Sequence, residues 1–282
     1  MPTAIVLTLK PTQAATVPAF LGRAAHAWFL QEIADYDTER AQSLHAPQAR
    51  KPFTLSPLGT PGLRAREGRV ALPAGHACYL RLTSLEPELT QQLLATFVPR
   101  WEGDTLRLAG VAFRVAQVAT TPTAHPAAAT CTYAELRDAA AAAPPPQQLT
   151  LQFVTPTTFR QSPPRTGRFD VAPYALPLPE PTLVFGSLAR AWQQFAPRAL
   201  PAEWPDFVAA CVVLSRYRLH TELVTFGHGR RGKVGGFKGQ CRFALRCASP
   251  EWQRRLGLLA AWAPFAGLGW RTSMGLGQVR LL

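Results

Sequence analysis

Acidic residues are scarce in this 282-residue chain, where 17 Asp and Glu stand against 30 Lys and Arg for a formal charge of +13. That deficit points to a polyanionic partner, most often nucleic acid. Lysine is scarce too: Lys10, Lys51, Lys233 and Lys238 face 26 arginines. With much Ala and Pro, this fits G+C-rich coding, which explains Arg over Lys but not the shortage of acids. There are five cysteines and no C-x-x-C pair. That excludes a zinc knuckle and a disulfide framework, and leaves inert thiols in a reducing compartment as the expectation. No run approaches the roughly 20 apolar residues of a membrane span, and the first residues, MPTAIVLTLKP, lack a charged segment before an apolar core. The expected location is cytoplasmic, with no membrane partner. Asp, Glu and His nowhere cluster at metal-ligand spacing, so no metal site and no cofactor is expected. What is present, 47% apolar and 17% charged residues, describes a folded globular chain.

Periodicity divides the chain into two similar halves. Ile5, Leu7 and Leu9 alternate in a strand from Thr3 to Lys10. A helix opening near Phe20 carries the stripe Leu21, Ala25, Trp28, Phe29, Ile33 and Tyr36. Asp37 caps a second, short helix that ends near His45 before Pro47. Strands follow at Pro52 to Leu58 and Cys78 to Leu85, then a helix from Glu86 to Pro99 and a strand from Val111 to Ala119. After an Ala/Pro-rich stretch with one helix (Tyr133 to Ala142), the order recurs. Strands are expected at 149–155, 211–225, 234–247 and 276–282, with helices at 182–195, 205–210 and 251–265. The fold class is therefore α+β, two tandem ferredoxin-like (RRM-like, βαββαβ) domains. The expected division is 1–121, a linker region at 122–146, and 147–282.

Two stretches carry the functional signal. Gly267-Leu-Gly269-Trp-Arg-Thr-Ser-Met-Gly275-Leu-Gly277 brackets Arg271, Thr272 and Ser273 with Gly-x-Gly pairs, and suggests a backbone clamp on phosphates. A helix precedes it and a strand follows, the reverse of a dinucleotide-binding loop, and no Gly-Lys-Ser/Thr is present for a P-loop. One glycine could simply end the helix; four exceed that need. Between Cys211 and Cys247 lie eight basic residues and one acid, Glu222. Arg230, Arg231, Lys233 and Lys238 sit around its glycine-rich tip, with Phe237 available for stacking, a mixture that suits RNA.

The glycine stretch resembles the C-terminal motif of the CRISPR-associated repeat-processing endoribonucleases, the Cas-six family of the RAMP superfamily. Leu44-His45 with Lys51-Pro-Phe-Thr-Leu-Ser-Pro-Leu58, Phe153-Val-Thr-Pro-Thr-Thr-Phe-Arg160 and Gly235-Gly-Phe-Lys-Gly239 are similar to other family segments, in the family's order. The resemblance implies binding of CRISPR repeat RNA and its metal-independent cleavage by 2′-hydroxyl attack, leaving 2′,3′-cyclic phosphate and 5′-hydroxyl ends. It leaves open a CRISPR effector complex and a homodimer as further partners, and a non-catalytic RAMP subunit as the alternative. His45 takes the family-matched position. At a helix end the last carbonyls favour an imidazolium, which suits a general acid or proton shuttle. Lys51 and Arg50 could offset phosphorane charge. His26, flanking the apolar stripe, is the rival imidazole and is expected in solvent; Tyr36 could supply a phenol but is expected in the core. On this reading the glycine loop binds RNA and the chemistry lies in the first half of the chain.

Overall fold

A computed structural model describes residues 1–45, 50–162, 171–226 and 232–282. Its contacts gather into two units: Met1–Tyr133 with Ser273–Gly275, and Ala134–Thr272 with Leu276–Leu282.

In the first unit, alternation of apolar residues builds β1 (Thr3–Pro11), whose Ile5, Leu7 and Leu9 are fully buried. β2 (Ala15–Pro18), α1 (Gly22–Tyr36), α2 (Thr38–His45), β3 (Phe53–Leu55), β4 (Arg69–Leu72) and β5 (Cys78–Ser84) follow. Next come α3 (Pro87–Gln92), α4 (Val98–Trp101), β6 (Thr105–Leu108), β7 (Val111–Ala119) and β8 (Ala129–Thr130). The main sheet runs β3-β5-β1-β7-β6. Taking β1, β3, β5 and β7 as the four strands of βαββαβ, the order is second, third, first, fourth, all antiparallel. That is the ferredoxin-like topology. β2 and β4 pair separately, outside the repeat.

The α1 stripe buries Ala25, Trp28, Phe29 and Ile33, with Phe29 packed edge-on against Phe53 at 4.8 Å between centroids. Fully burying a Phe or Ile side chain contributes about 1.5–3 kcal/mol. The stripe ends sooner than its period suggests: Tyr36, expected in the core, is 55% exposed and touches Phe97 only with a ring edge. Between α3 and α4 the chain widens into a π turn, Leu93–Phe97, where Val98 N–H donates to Leu93 five residues back. Pro99 accounts for it, since proline has no N–H to donate and its ring crowds the carbonyl four residues earlier.

The second unit repeats the plan. After α5 (Tyr133–Ala142) come β9 (Gln148–Thr157), a small hairpin of β10 (Phe159–Gln161) and β11 (Tyr174–Leu176), α6 (Pro181–Phe195) and α7 (Trp204–Cys211). Then follow β12 (Val212–Thr225), β13 (Lys233–Leu245), α8 (Pro250–Ala266) and β14 (Val279–Leu281). The sheet order β12-β13-β9-β14 is again second, third, first, fourth. The core joins Leu151, Phe153 and Phe243 of the sheet to Phe185, Trp192, Leu259 and Trp262 of the helices. Trp192 and Trp262 meet at 90° with centroids 5.2 Å apart.

Candidate active site and nucleic-acid interface

Only Asp37 separates α1 from α2, so the second helix folds back along the first. Asp37 caps it through Oδ1, which accepts from Arg40 N–H at 2.9 Å, and the Arg40–Glu86 ion pair at 2.8 Å anchors its first turn. The return carries His45 to the level of Ala27, where both line the trough between the helices. His45 is exposed. It lies close enough to His26, one residue before Ala27 on α1, to act on that ring electrostatically.

His26 is buried, at 7% exposure, contrary to the expectation of solvent contact. Its ring stacks on Phe53 at 5.8 Å, and its Nδ1 lies 3.0 Å from the carbonyl oxygen of Ser273. A carbonyl only accepts, so Nδ1 carries the hydrogen, and in the neutral ring the lone pair resides on Nε2. Burial pushes the His26 pKa below its ordinary value; the Ser273 carbonyl opposes that, and the positive charges of His45 and Lys51 reinforce it. The result is a neutral imidazole fixed in one tautomer, with Nε2 making no hydrogen bond among the described residues. Partial burial also lowers the Lys51 ammonium. His26, His45 and Lys51 thus form one electrostatic group. Tyr36 stands apart from it, ten residues beyond His26 on α1 and so about 15 Å further along the axis.

Glycine geometry holds Ser273 in place. A Cβ on Gly22 would collide with the Met274 carbonyl. One on Gly275, at φ 95°, would stand 2.9 Å from Phe20 Cζ and 3.1 Å from Pro57 N. The turn Thr272–Met274 therefore delivers the Ser273 carbonyl to His26 because two glycines permit backbone against backbone. Ser273 itself is 8% exposed, so its hydroxyl does not stand open as the expected phosphate contact.

Elsewhere the glycine loop is a structural staple and not an open clamp. Gly267 ends α8 in the left-handed region, with its N–H on Ala263. The N–H groups of Leu268, Trp270, Leu276 and Gly277 donate to Gly277, Thr158, Arg271 and Pro156 carbonyls, and Gly269 N–H donates to Ser187 Oγ at 3.0 Å. A Cβ on Gly269 or Gly277 would strike the Thr158 or Leu268 carbonyl. Arg271 is not strained into a phosphate nest either: at φ 57°, its guanidinium lies over Trp270 (4.1 Å) and Phe226 (4.6 Å), while Arg160 flanks the same Trp270. Thr272, half-buried, has its methyl side against Gly267.

Of the basic hairpin, Arg230, Arg231 and His228 lie outside the described residues. Lys233 is exposed, and Lys238 is paired with Glu222 at 3.2 Å. Phe237 is not available for stacking; it is 1% exposed and packs on Phe153. The strands supply something the linear sequence hides. Cross-strand register aligns Arg216, Arg242 and Thr150 in one row and Arg218, Gln240, Gln152 and Arg280 in the next, all on the face away from the core. The Arg40–Glu86, Lys238–Glu222 and Arg255–Glu251 ion pairs involve none of these four arginines. A shallow cavity of about 260 Å³ opens between Arg216, Arg218 and Arg242. No group of three His, Cys, Asp or Glu that could hold a metal occurs among the described residues, and no helix there is long and apolar enough to cross a membrane.

Comparison with known proteins identifies the family and the fold. The family model for the CRISPR-associated endoribonuclease Cas6 matches residues 151–279, and that for the CRISPR Cas6 N-terminal domain matches residues 1–138. A product complex of Thermus thermophilus Cas6 superposes with a TM-score of 0.80 at 32% identity over 100% of both chains. The chain belongs to the Cas6 family. A second Cas6 product complex gives a TM-score of 0.74 at 26% identity, covering 100% of this chain and 99% of that one. The CRISPR-associated endoribonuclease Cas6 of Mycobacterium tuberculosis is 29% identical over 143 residues, a match spanning 50% of this chain and 40% of that relative. The motif that contains His45 was legible in the sequence. The Ser273–His26 contact was not, because 247 residues separate the partners.

Proposed function

We propose that this Cas6-family chain cleaves precursor CRISPR RNA within its repeats, without a metal, by attack of a 2′-hydroxyl on the adjacent phosphorus. The observation that carries the proposal is the buried His26, neutral and tautomer-fixed by Ser273, beside His45 and Lys51. Such a reaction needs a base, an acid and positive charge at the phosphorane. In this reading Nε2 of His26 takes the 2′-hydroxyl proton. His45, exposed at its helix end, gives a proton to the leaving 5′-oxygen, and Lys51 offsets charge on the equatorial oxygens. The P–O bond to the leaving nucleotide breaks as the 2′-oxygen bond forms, leaving a 2′,3′-cyclic phosphate and a 5′-hydroxyl. Arg216, Arg218, Arg242 and Arg280 hold RNA phosphates on the second unit's open sheet face. The relatives' complexes with product and with a substrate mimic support RNA as the ligand. A homodimer and hand-over of product to an effector complex remain part of the proposal.

The test is incubation of the purified chain with repeat RNA in excess EDTA, with the product ends analysed by mass. A discrete cut with a cyclic phosphate is expected. Tight binding without cleavage would instead identify a non-catalytic RNA-binding subunit, and cleavage abolished by EDTA would refute the metal-free chemistry.

A further inference from the structure

The sequence presents five cysteines with no paired spacing, but the second sheet brings two of them together. Cys211 closes α7 and Cys247 follows β13. The last register pair of the hairpin is Val212 with Leu245, and beyond it Arg246 N–H donates to the Cys211 carbonyl at 2.7 Å. Gln253 Nε2 holds the Cys247 carbonyl at 2.9 Å. Both backbones are thus fixed, with Cys247 next in the chain to Arg246, the residue bonded to Cys211, and each thiol acts on the other's ionisation. Both residues are partly exposed, whereas Cys78 and Cys241 are buried.

We propose that Cys211 and Cys247 form a redox-active pair that closes to a disulfide at the base of the β12–β13 hairpin, with a hydroperoxide as oxidant. The thiolate of one cysteine attacks a peroxide oxygen, breaks the O–O bond and becomes a sulfenic acid as hydroxide leaves and is protonated to water. The second thiolate attacks that sulfur, the S–S bond forms, and a second water leaves. Two thiols and one hydrogen peroxide give one disulfide and two waters, so two electrons pass from sulfur to oxygen. The bond ties the strand ends that carry Arg216 and Arg242, fixing the register of the arginine rows. Burial, and then the shared hydrogen bond with Cys247, raise the Cys211 thiol above its ordinary value, so closure is slow at neutral pH and quickens in alkali.

The experiment treats the full chain with hydrogen peroxide at pH 7 and pH 8.5, alkylates remaining thiols, and maps peptides by mass. Expected is a loss of about 2 Da from one peptide pair joining 211 to 247, faster at pH 8.5 and reversed by dithiothreitol. It should survive Cys131→Ser and vanish in Cys211→Ser and Cys247→Ser. Three results would overturn the proposal: both thiols still alkylated, separate oxidation of each to sulfinic acid, or cross-links routed through Cys131 or between chains. None of these readouts depends on RNA cleavage.

Discussion

Gly22→Ala gives a sharp test of how the candidate active site is held. Inside an exposed helix this change normally stabilises by about 0.5–1 kcal/mol, because alanine loses less backbone entropy on folding. Here the added methyl would meet the Met274 carbonyl and also Phe20 Cε1, at 2.8 Å. The Met274 contact is backbone and cannot rotate away, so either α1 or the Thr272–Met274 turn must shift. Overpacking of this kind costs roughly 1–3 kcal/mol, which outweighs the helix gain. The net loss of about 1–2 kcal/mol lowers Tm by roughly 2–8 °C at about 2–4 °C per kcal/mol. Displacing the turn also moves the Ser273 carbonyl from His26 Nδ1, and a misplacement near 1 Å can slow a reaction by about 10²-fold. The assay is a thermal melt beside single-turnover cleavage of repeat RNA. An unchanged or raised Tm with wild-type cleavage would refute the claim that Gly22 is glycine to seat Ser273.

Other expectations follow from the same geometry. Lys51→Met removes a positive charge that lowers His26, so an NMR titration of the His26 ring should move to higher pH; a midpoint unmoved or lowered would mean the two are not coupled. Because folded His26 binds its proton less readily than the unfolded ring, with its ordinary value of 6.5, the unfolded state gains protons first. Stability is therefore full above about pH 6.5 and falls as pH drops toward the lowered folded value, by at most about 1.4 kcal/mol per pH unit. His26→Gln should flatten that slope in denaturant melts across pH 4–8, and an unchanged slope would assign the effect elsewhere. Arg242→Ala should weaken RNA binding and reduce the slope of log K against log salt by about 0.7–0.9. An unchanged slope would remove the open sheet face from the interface.

Periodicity located most of the fold. β7 and α5 match their expected limits, and the ferredoxin-like order emerges from element type alone. Features outside that repeat left little local signal: β2 is four residues ending in proline, and its partner β4 alternates over only Arg69–Leu72. Tyr36 kept the helical period but lies in the last position of α1, past the sheet that buries Ile33. For the site, charge and motif named His45 and Lys51 and proposed a loop for binding alone. The structure adds His26 to them as a candidate. Most of the glycine loop's N–H groups bind protein, while Ser273–Gly275 folds with the first unit and orients His26. A histidine beside an apolar stripe reads as exposed when the covering segment comes from the far end of the chain. Arg216, Arg218, Arg242 and Arg280 form rows only through strand register, which spacing in sequence does not carry.

The most direct test of the proposed chemistry is single-turnover cleavage of repeat RNA by His26→Ala in excess EDTA, with RNA affinity measured on the same preparation. Loss of a positioned general base predicts a rate about 10²–10⁴ lower with affinity nearly unchanged. A cleavage rate close to wild type would show that His26 takes no part in proton transfer.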